Sequence, residues 1–421
     1  MKLLIKNGRV IDPANKTDEK LDILIENGRI AKKSASISAR DINTIDASEL
    51  IVTPGLIDMH THLREPGRED KETISSGTRA AAKGGFTTII CMPNTMPPID
   101  SISGVKFILV TASQEGVVNV LPVGCITKGR EGKELAEIGK MKNAGIVGVS
   151  DDGTPVMNAQ LMRHALEYAS MFNLPVFAHC EDLNLSADGV MNEGLVSTQL
   201  GLKGIPIQAE EVMVSRDIAL AELTGGRLHI QHVTTAGAVD IIRQAKKEKI
   251  KVTCETCPQY FSLSEEAVRG YNTNAKINPP LRTEEDIKAI KEGLADGTID
   301  CIASDHAPHT DVEKDQEFDA APFGIIGLET MLPLVITNLV GQKVITLSQA
   351  VTMMSINPAK ILGIEKGTLS IGADADITII NPKLEKEITS DFVSLSKNSP
   401  FIGMKLKGFA VITIVGGVVI K

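Results

Sequence analysis

The sequence contains no tryptophan, and aromatic residues make up only 3% of it. It therefore offers no aromatic platform on which nucleic-acid bases would stack. It also lacks a basic excess: the formal net charge is -9, which disfavours nucleic acid or an anionic membrane as the main partner. The longest late apolar run, Phe409 to Ile420, is broken by Gly416 and Gly417 and is too short for the ~30 Å of a hydrocarbon core. The opening stretch MKLLIKNGRV carries Lys2, Lys6 and Arg9 without an uninterrupted apolar segment. A signal peptide is not expected, and a cytoplasmic location is. The six cysteines have no framework spacing, so reduced, buried thiols are expected. Cys254 and Cys257 form a single CxxC, a weak signal for zinc or redox chemistry without a second pair. No G-x-G-x-x-G follows the first strand pattern and no G-x-x-x-x-G-K-[ST] occurs, so nucleotide-phosphate signals are missing.

What the chain does have is length and regular alternation. At 421 residues, 43% hydrophobic and 23% charged, it can bury a large core. Its two ends resemble each other. Residues 1–54 carry short apolar runs punctuated by Asn7-Gly8 and Asn27-Gly28, and residues 366–421 repeat the style in GTLSIGADADITIINP and KLKGFAVITIVGGVVIK. Asn-Gly between such runs predicts hairpins. One small β domain, a β-sandwich formed from both termini, is the economical reading, because a lone hairpin is marginal.

Between them, residues 55–365 alternate strand and helix patterns. Strands are predicted at 55–60, 87–92, 118–123, 146–150, 176–179, 228–232, 251–255 and 299–304. Helices are predicted at 133–143, 159–172, 210–223, 236–247 and 284–294. Eight such repeats in an α/β chain predict a (β/α)8 TIM-like barrel. A doubly wound open sheet is the alternative.

The chemistry collects where those strands end. In LIDMHTHLREPG, residues Asp58, His60 and His62 share one strand face. His179 ends PVFAH, His232 ends LHIQH, Asp305 follows DCIAS, and Asp151 and Asp152 follow GIVGVS. In a barrel these positions all lie on the C-terminal rim, where catalytic groups gather. Imidazoles and carboxylates converging there predict a metal site; spacing leaves Asp151 and Asp152 open. His164 is expected in a helix, His229 on the opposite strand face, His306 as support for a neighbour, and His309 in a loop.

HTHLR, MPNT (92–95), SDDG (150–153), AHCED (178–182), INPPLR (277–282) and DHAPH (305–309) together resemble the dihydroorotases of the amidohydrolase superfamily, in their longer bacterial type. The resemblance runs nearly end to end. It implies one zinc ion on His60, His62 and Asp305, a second metal on His179 and His232, and Asp152 bridging the two, hence one or two ions per subunit. Many relatives bridge with a carboxylated lysine; here Lys140 and Lys142 fall well before the strand end.

The implied reaction is reversible hydrolysis of the ring amide of (S)-dihydroorotate to N-carbamoyl-L-aspartate, a step of pyrimidine synthesis. Metal ions make hydroxide available at neutral pH, with Asp305 as general acid/base. The resemblance puts His62, Arg64, Asn94 and His309 around the substrate, Arg64 as a planar fork for its carboxylate. Asn278 and the backbone of Phe323 and Gly324 would meet the ring amide. Residues 306–327 are expected to close over the substrate. The competing readings are a hydantoinase- or allantoinase-like cyclic amidase, or a barrel serving an aspartate transcarbamoylase complex. A homodimer follows only from superfamily habit.

Overall fold

The computed structural model describes residues 2–38 and 42–420. Eight strands form the central barrel: Leu56–Thr61, Phe86–Cys91, Asn119–Pro122, Val149–Ser150, Pro175–Ala178, Arg227–Ile230, Val252–Thr256 and Cys301–Ile302. Neighbours pair in parallel as a three-stranded and a five-stranded arc. Parallel bridges between Gly124 and Val149, and between Thr61 and His306, join the arcs into a closed ring. The open-sheet alternative is thereby set aside. The fourth and eighth strands are the shortest regular pieces, two residues each; both lead directly into the site.

Local chemistry starts and stops the helices. Thr235 caps Ala236–Lys247 by accepting from the Ala238 amide, and the helix buries Ala238, Val239, Ile242 and Ala245 along one stripe. Asn158 and Thr283 cap Ala159–Ser170 and Glu284–Asp296 in the same way. The helix predicted from 133 begins only at Ile138. Residues before it are held as a hooked loop, with the Gly132 amide on the Thr127 hydroxyl and the Ala136 amide on the Ile126 carbonyl.

Both termini contribute to one eight-stranded sheet. Lys2–Asp12 pairs antiparallel with Thr17–Glu26, which pairs with Arg29–Ser34. On its other side Lys2–Asp12 runs parallel to Asn43–Asp46 and Ile51–Pro54. Ile377–Glu387 joins Ile51–Pro54 to Lys405–Val415. Ile5, Ile23, Ile25 and Val52 from the first half share one core with Ile377, Ile379 and Ile414 from the second. Asn27-Gly28 makes the predicted hairpin turn, both residues at positive φ. Asn7-Gly8 does not: it lies inside Lys2–Asp12, where the register shifts between Ile5 and Gly8. Asn7 takes φ 65° there, its amide donating to Asp22 and its side chain to Asp46. The same left-handed preference that suits a turn here makes a β-bulge.

One stretch of the C-terminal half leaves this sheet. Between Ile377–Glu387 and Lys405–Val415 the chain crosses to the barrel and packs Ile388, Phe392 and Phe401 with Phe318, Ile325 and Ile326. This strap reaches the rim that carries the histidines.

Candidate active site

The ends of the first, fourth, fifth, sixth and eighth barrel strands meet in one buried cluster. His60 Nε2 lies 3.3 Å from Asp152 Oδ1 and 3.5 Å from Asp305 Oδ1. His62 Nε2 lies 3.0 Å from Asp305 Oδ1 and 3.5 Å from Asp152 Oδ2. His232 Nε2 is 3.8 Å from Asp152 Oδ1 and 2.8 Å from His179 Nδ1. Two triads have ligand atoms within 4.8 Å of one another, His60-His62-Asp305 and His60-Asp152-His232. His179 stands outside both but against His232. His232 and Asp305 take left-handed backbone, φ 32° and 48°, a conformation that costs free energy in a non-glycine residue and recurs at functional sites.

The arrangement fits a cation. His60 Nε2 and Asp152 Oδ1 are buried, face each other and have no hydrogen-bond partner among the described residues. Orphaned polar atoms of this kind are costly, and more so when charged. The far side of each ring explains why the near side is free. His60 Nδ1 donates to Glu255 Oε1 at 2.8 Å, and His62 Nδ1 to Asn94 Oδ1 at 2.8 Å. His179 Nε2 donates to Glu181 Oε2 at 3.0 Å. Each ring thus turns its other nitrogen into the cluster, the arrangement that metal-ligating histidines adopt. Glu255 also meets His229 Nε2 at 3.2 Å, which gives His229 its role on the opposite strand face.

The charges agree. Burial works against ionising both partners, yet the Asp152 and Asp305 carboxylates hold His60 well above the usual imidazole range. Against the same burial, the His60 charge and the neighbouring His232 imidazole hold Asp152 well below the carboxylate range. Glu255 falls to about 2: burial is outweighed by its bonds to His229 and His60. Negative groups crowded together in a low-dielectric pocket stay ionised only beside positive charge. The choice left open by spacing is also visible. Asp151 accepts from the Ile126 and Thr127 amides, 2.8 and 3.1 Å, and from the Thr127 hydroxyl, so it anchors the hooked loop while Asp152 faces the cluster.

Next to the cluster is a cavity of about 240 Å³ lined by His62, Arg64, Asn94, Asp152, His179, His232, Asn278, Asp305, His309, Phe323 and Gly324, among others. All seven positions expected around a substrate line it. Arg64 donates from Nε to the Pro308 carbonyl at 3.1 Å, and its Nη2 lies 3.4 Å from His309 Nε2. Asn278 donates to Glu181 Oε2 at 2.8 Å. One expectation needs correction: the Gly324 amide is already spent on the Lys276 carbonyl at 2.9 Å, so it is not free to meet a ring amide. Glycine is required at 324, where φ is 145° and a Cβ would come within 2.8 Å of the Ala307 carbonyl and the His309 ring.

His306 turns away from the cavity, bonding Glu72 Oε2 at 3.2 Å and accepting from the Gly327 amide at 3.2 Å. His164 is an exposed helix residue beside Gln160. The cysteines are buried free thiols, Cys254 raised to about 12 by burial. No local sequence pattern marks Glu255, Glu181 or Asn398 as part of the site. Asn398 lies on the strap, accepts from the His309 amide at 3.1 Å, and donates to the Ala307 and Gly324 carbonyls at 3.0 Å each.

A closed parallel barrel with imidazoles and carboxylates gathered at its C-terminal rim defines a class, and the sequence comparison gives it a family. Residues 51–420 match the amidohydrolase family, and the chain belongs to it. It is 60% identical to a protein of Endomicrobium trichonymphae named dihydroorotase, over 99% of both chains. It is 58% identical to a dihydroorotase of Pelotomaculum thermopropionicum, over all of this chain and 98% of that one. Among solved structures it resembles L-hydantoinase (dihydropyrimidinase) from Arthrobacter aurescens, with TM-score 0.89 and 29% identity over 99% of this chain and 95% of that one. No helix among the described residues is long and apolar enough to cross a membrane.

Proposed function

We propose that this chain is a dihydroorotase: a cyclic amidohydrolase that opens (S)-dihydroorotate to N-carbamoyl-L-aspartate and closes it again, with zinc as its metal. The observation that carries the reading is the pairing, in one cavity, of the histidine-aspartate cluster with the donors of Arg64 and His309. The first suits hydrolysis of an amide, and the second a ring that carries a carboxylate. His60, His62 and Asp305 would hold one ion, and His179 and His232 a second, with Asp152 shared. Divalent ions there would lower the pKa of a water to about 7 and polarise the amide carbonyl.

The chain's own groups do the rest. Arg64 binds the ring carboxylate through its planar fork, with Asn94 and His309 beside it, while Asn278 meets the ring amide. Asp305 faces both His62 and the cavity. It takes the proton of the attacking water and returns it to the ring nitrogen as the C–N bond breaks. In the closing direction the same proton leaves with the expelled water. Residues 55–365 would form the catalytic barrel, with 1–54 and 366–421 as the small β domain. A homodimer, and a complex with an aspartate transcarbamoylase, are further proposals that sedimentation of the protein alone and mixed would read.

The test is metal analysis of the purified protein beside assays on dihydroorotate, hydantoin and allantoin. One to two zinc ions per chain and a strong preference for dihydroorotate are expected. Comparable turnover of the uncarboxylated hydantoin ring would overturn the assignment in favour of a broader cyclic amidase.

A further inference from the structure

His309 can help seat a carboxylate only if the ring nitrogen facing the cavity carries its proton. In a neutral imidazole only one nitrogen does, and the group beyond the other nitrogen decides which. Burial, and then the charges of Arg64, Lys71 and Lys314, hold His309 below the usual imidazole range, so the ring is neutral. Beyond its Nδ1 stands the Lys71 ammonium at 3.1 Å. An ammonium has three donors and no acceptor, so Nδ1 must accept and the proton must sit on Nε2. Lys71 is itself buried, 6% exposed. Its Nζ is held by Glu313 Oε1 at 2.9 Å, which Arg68 also binds at 2.9 Å. Its backbone carbonyl accepts from Ser396 of the strap at 2.7 Å.

On the cavity side, His309 Nε2–H and Arg64 Nη2 then face each other at 3.4 Å. Both are donors, and neither satisfies the other. Resting on the reading above, we propose that Lys71 is a positioning residue that fixes His309 as a donor, so that His309 and Arg64 together form a two-donor seat completed by the substrate carboxylate. The competing partner is Glu313 Oε2, 3.3 Å from Nδ1. If Nδ1 gave its proton to Glu313, Nε2 would accept from Arg64 and the seat would lose a donor. The ammonium at 3.1 Å opposes that state, because it would face an N–H. Glu313 Oε2 has the Thr310 amide as a partner of its own at 3.2 Å.

The experiment compares wild type, Lys71→Met and Lys71→Arg as zinc-loaded protein, with a His309→Gln variant to assign the ring signals. Nitrogen-15 NMR of labelled histidine should show the Nε2–H tautomer at His309 in wild type and Lys71→Arg, and loss of that single form in Lys71→Met. Kinetics on dihydroorotate should show KM raised about tenfold or more in Lys71→Met, the scale of one lost charge-assisted hydrogen bond. In that variant kcat should change far less and the zinc content should be unchanged; Lys71→Arg should restore KM. An Nδ1–H tautomer in wild type overturns the proposal, as does an unchanged KM in Lys71→Met. A fall in kcat and zinc content without a KM effect also overturns it, by showing a purely structural lysine. If wild type does not hydrolyse dihydroorotate, the functional reading fails while the tautomer measurement still decides the role of Lys71.

Discussion

At the scale of single residues, the site depends on carboxylates that never enter the cavity. Glu255 holds His60 by its far nitrogen and bonds His229 as well. Glu255→Gln keeps the shape but removes the charge that keeps the His60 lone pair inward. Zinc affinity should fall about 10- to 100-fold, read by competition with a chelator of known strength; wild-type affinity would remove Glu255 from the machinery. Glu329 offers a pH test away from the cavity. Burial raises its carboxyl to about 7, against the Val393 and Ser394 amides that it accepts from. The unfolded chain ionises this group at an ordinary carboxylate value. The stability tied to neutral Glu329 is therefore present in acid and lost as pH rises through about 7. Glu329→Gln carries no such loss, and should exceed wild type above that pH by at most about 3 kcal/mol while matching it near pH 4. Urea unfolding at the two pH values reads the difference, and equal curves at alkaline pH would sink the argument.

At the scale of elements, the strands were legible in the sequence because short apolar runs alternate with helical patterns, and five of the eight runs end in the histidines and aspartates of the cluster. The helix Ala236–Lys247 was legible to the residue from its cap and stripe. The bulge at Asn7-Gly8 was not, since Asn-Gly encodes a left-handed backbone and not the element that contains it. Nor were Glu181 and Glu255, which in sequence look like any other charged residues. The segment 306–327 reads as a loop that closes over substrate, but it carries a short helix, Asp311–Lys314, and is tied down. Lys314 Nζ donates to the Thr273 and Pro322 carbonyls at 2.9 and 2.8 Å, Glu313 binds Arg68 and Lys71, and Asn398 holds its two ends. The amides of Ala307, His309, Lys314 and Gly324 are themselves hydrogen-bonded, and amides held this way exchange slowly. Hydrogen exchange should find the segment protected before any ligand is added, and fast exchange in the ligand-free protein would restore the closing loop.

At the scale of the whole molecule, the barrel closes around negative charge. Asp152, Asp305 and Glu255 lie within a few ångströms of one another through the rings of His60 and His62. An ion that binds this cluster only when the chain is folded stabilises it by mass action, by roughly 3 kcal/mol at a hundredfold excess over Kd. Chelation should therefore lower Tm by a few degrees, and zinc should restore it; a calorimetric scan unmoved by chelator would show that the cluster holds no ion. What sequence alone could not reveal at this scale is the strap. Its contacts join residues more than three hundred positions apart, such as Ser394 and Leu395 with Glu72, and nothing in a local pattern announces them.

That strap changes what counts as a transplantable part. A designer who cut the chain where the barrel gives way to the terminal sheet would obtain every group of the histidine-aspartate cluster. The same cut would discard Ser396 and Asn398, which secure Lys71, His309 and Gly324. If His309 seats the substrate carboxylate as proposed, swapping the tail of one amidohydrolase onto the barrel of another should change substrate preference as well as packaging, which KM values of such chimeras would read. Chimeras should be joined on the far side of Lys405, and not at the seam between barrel and terminal sheet.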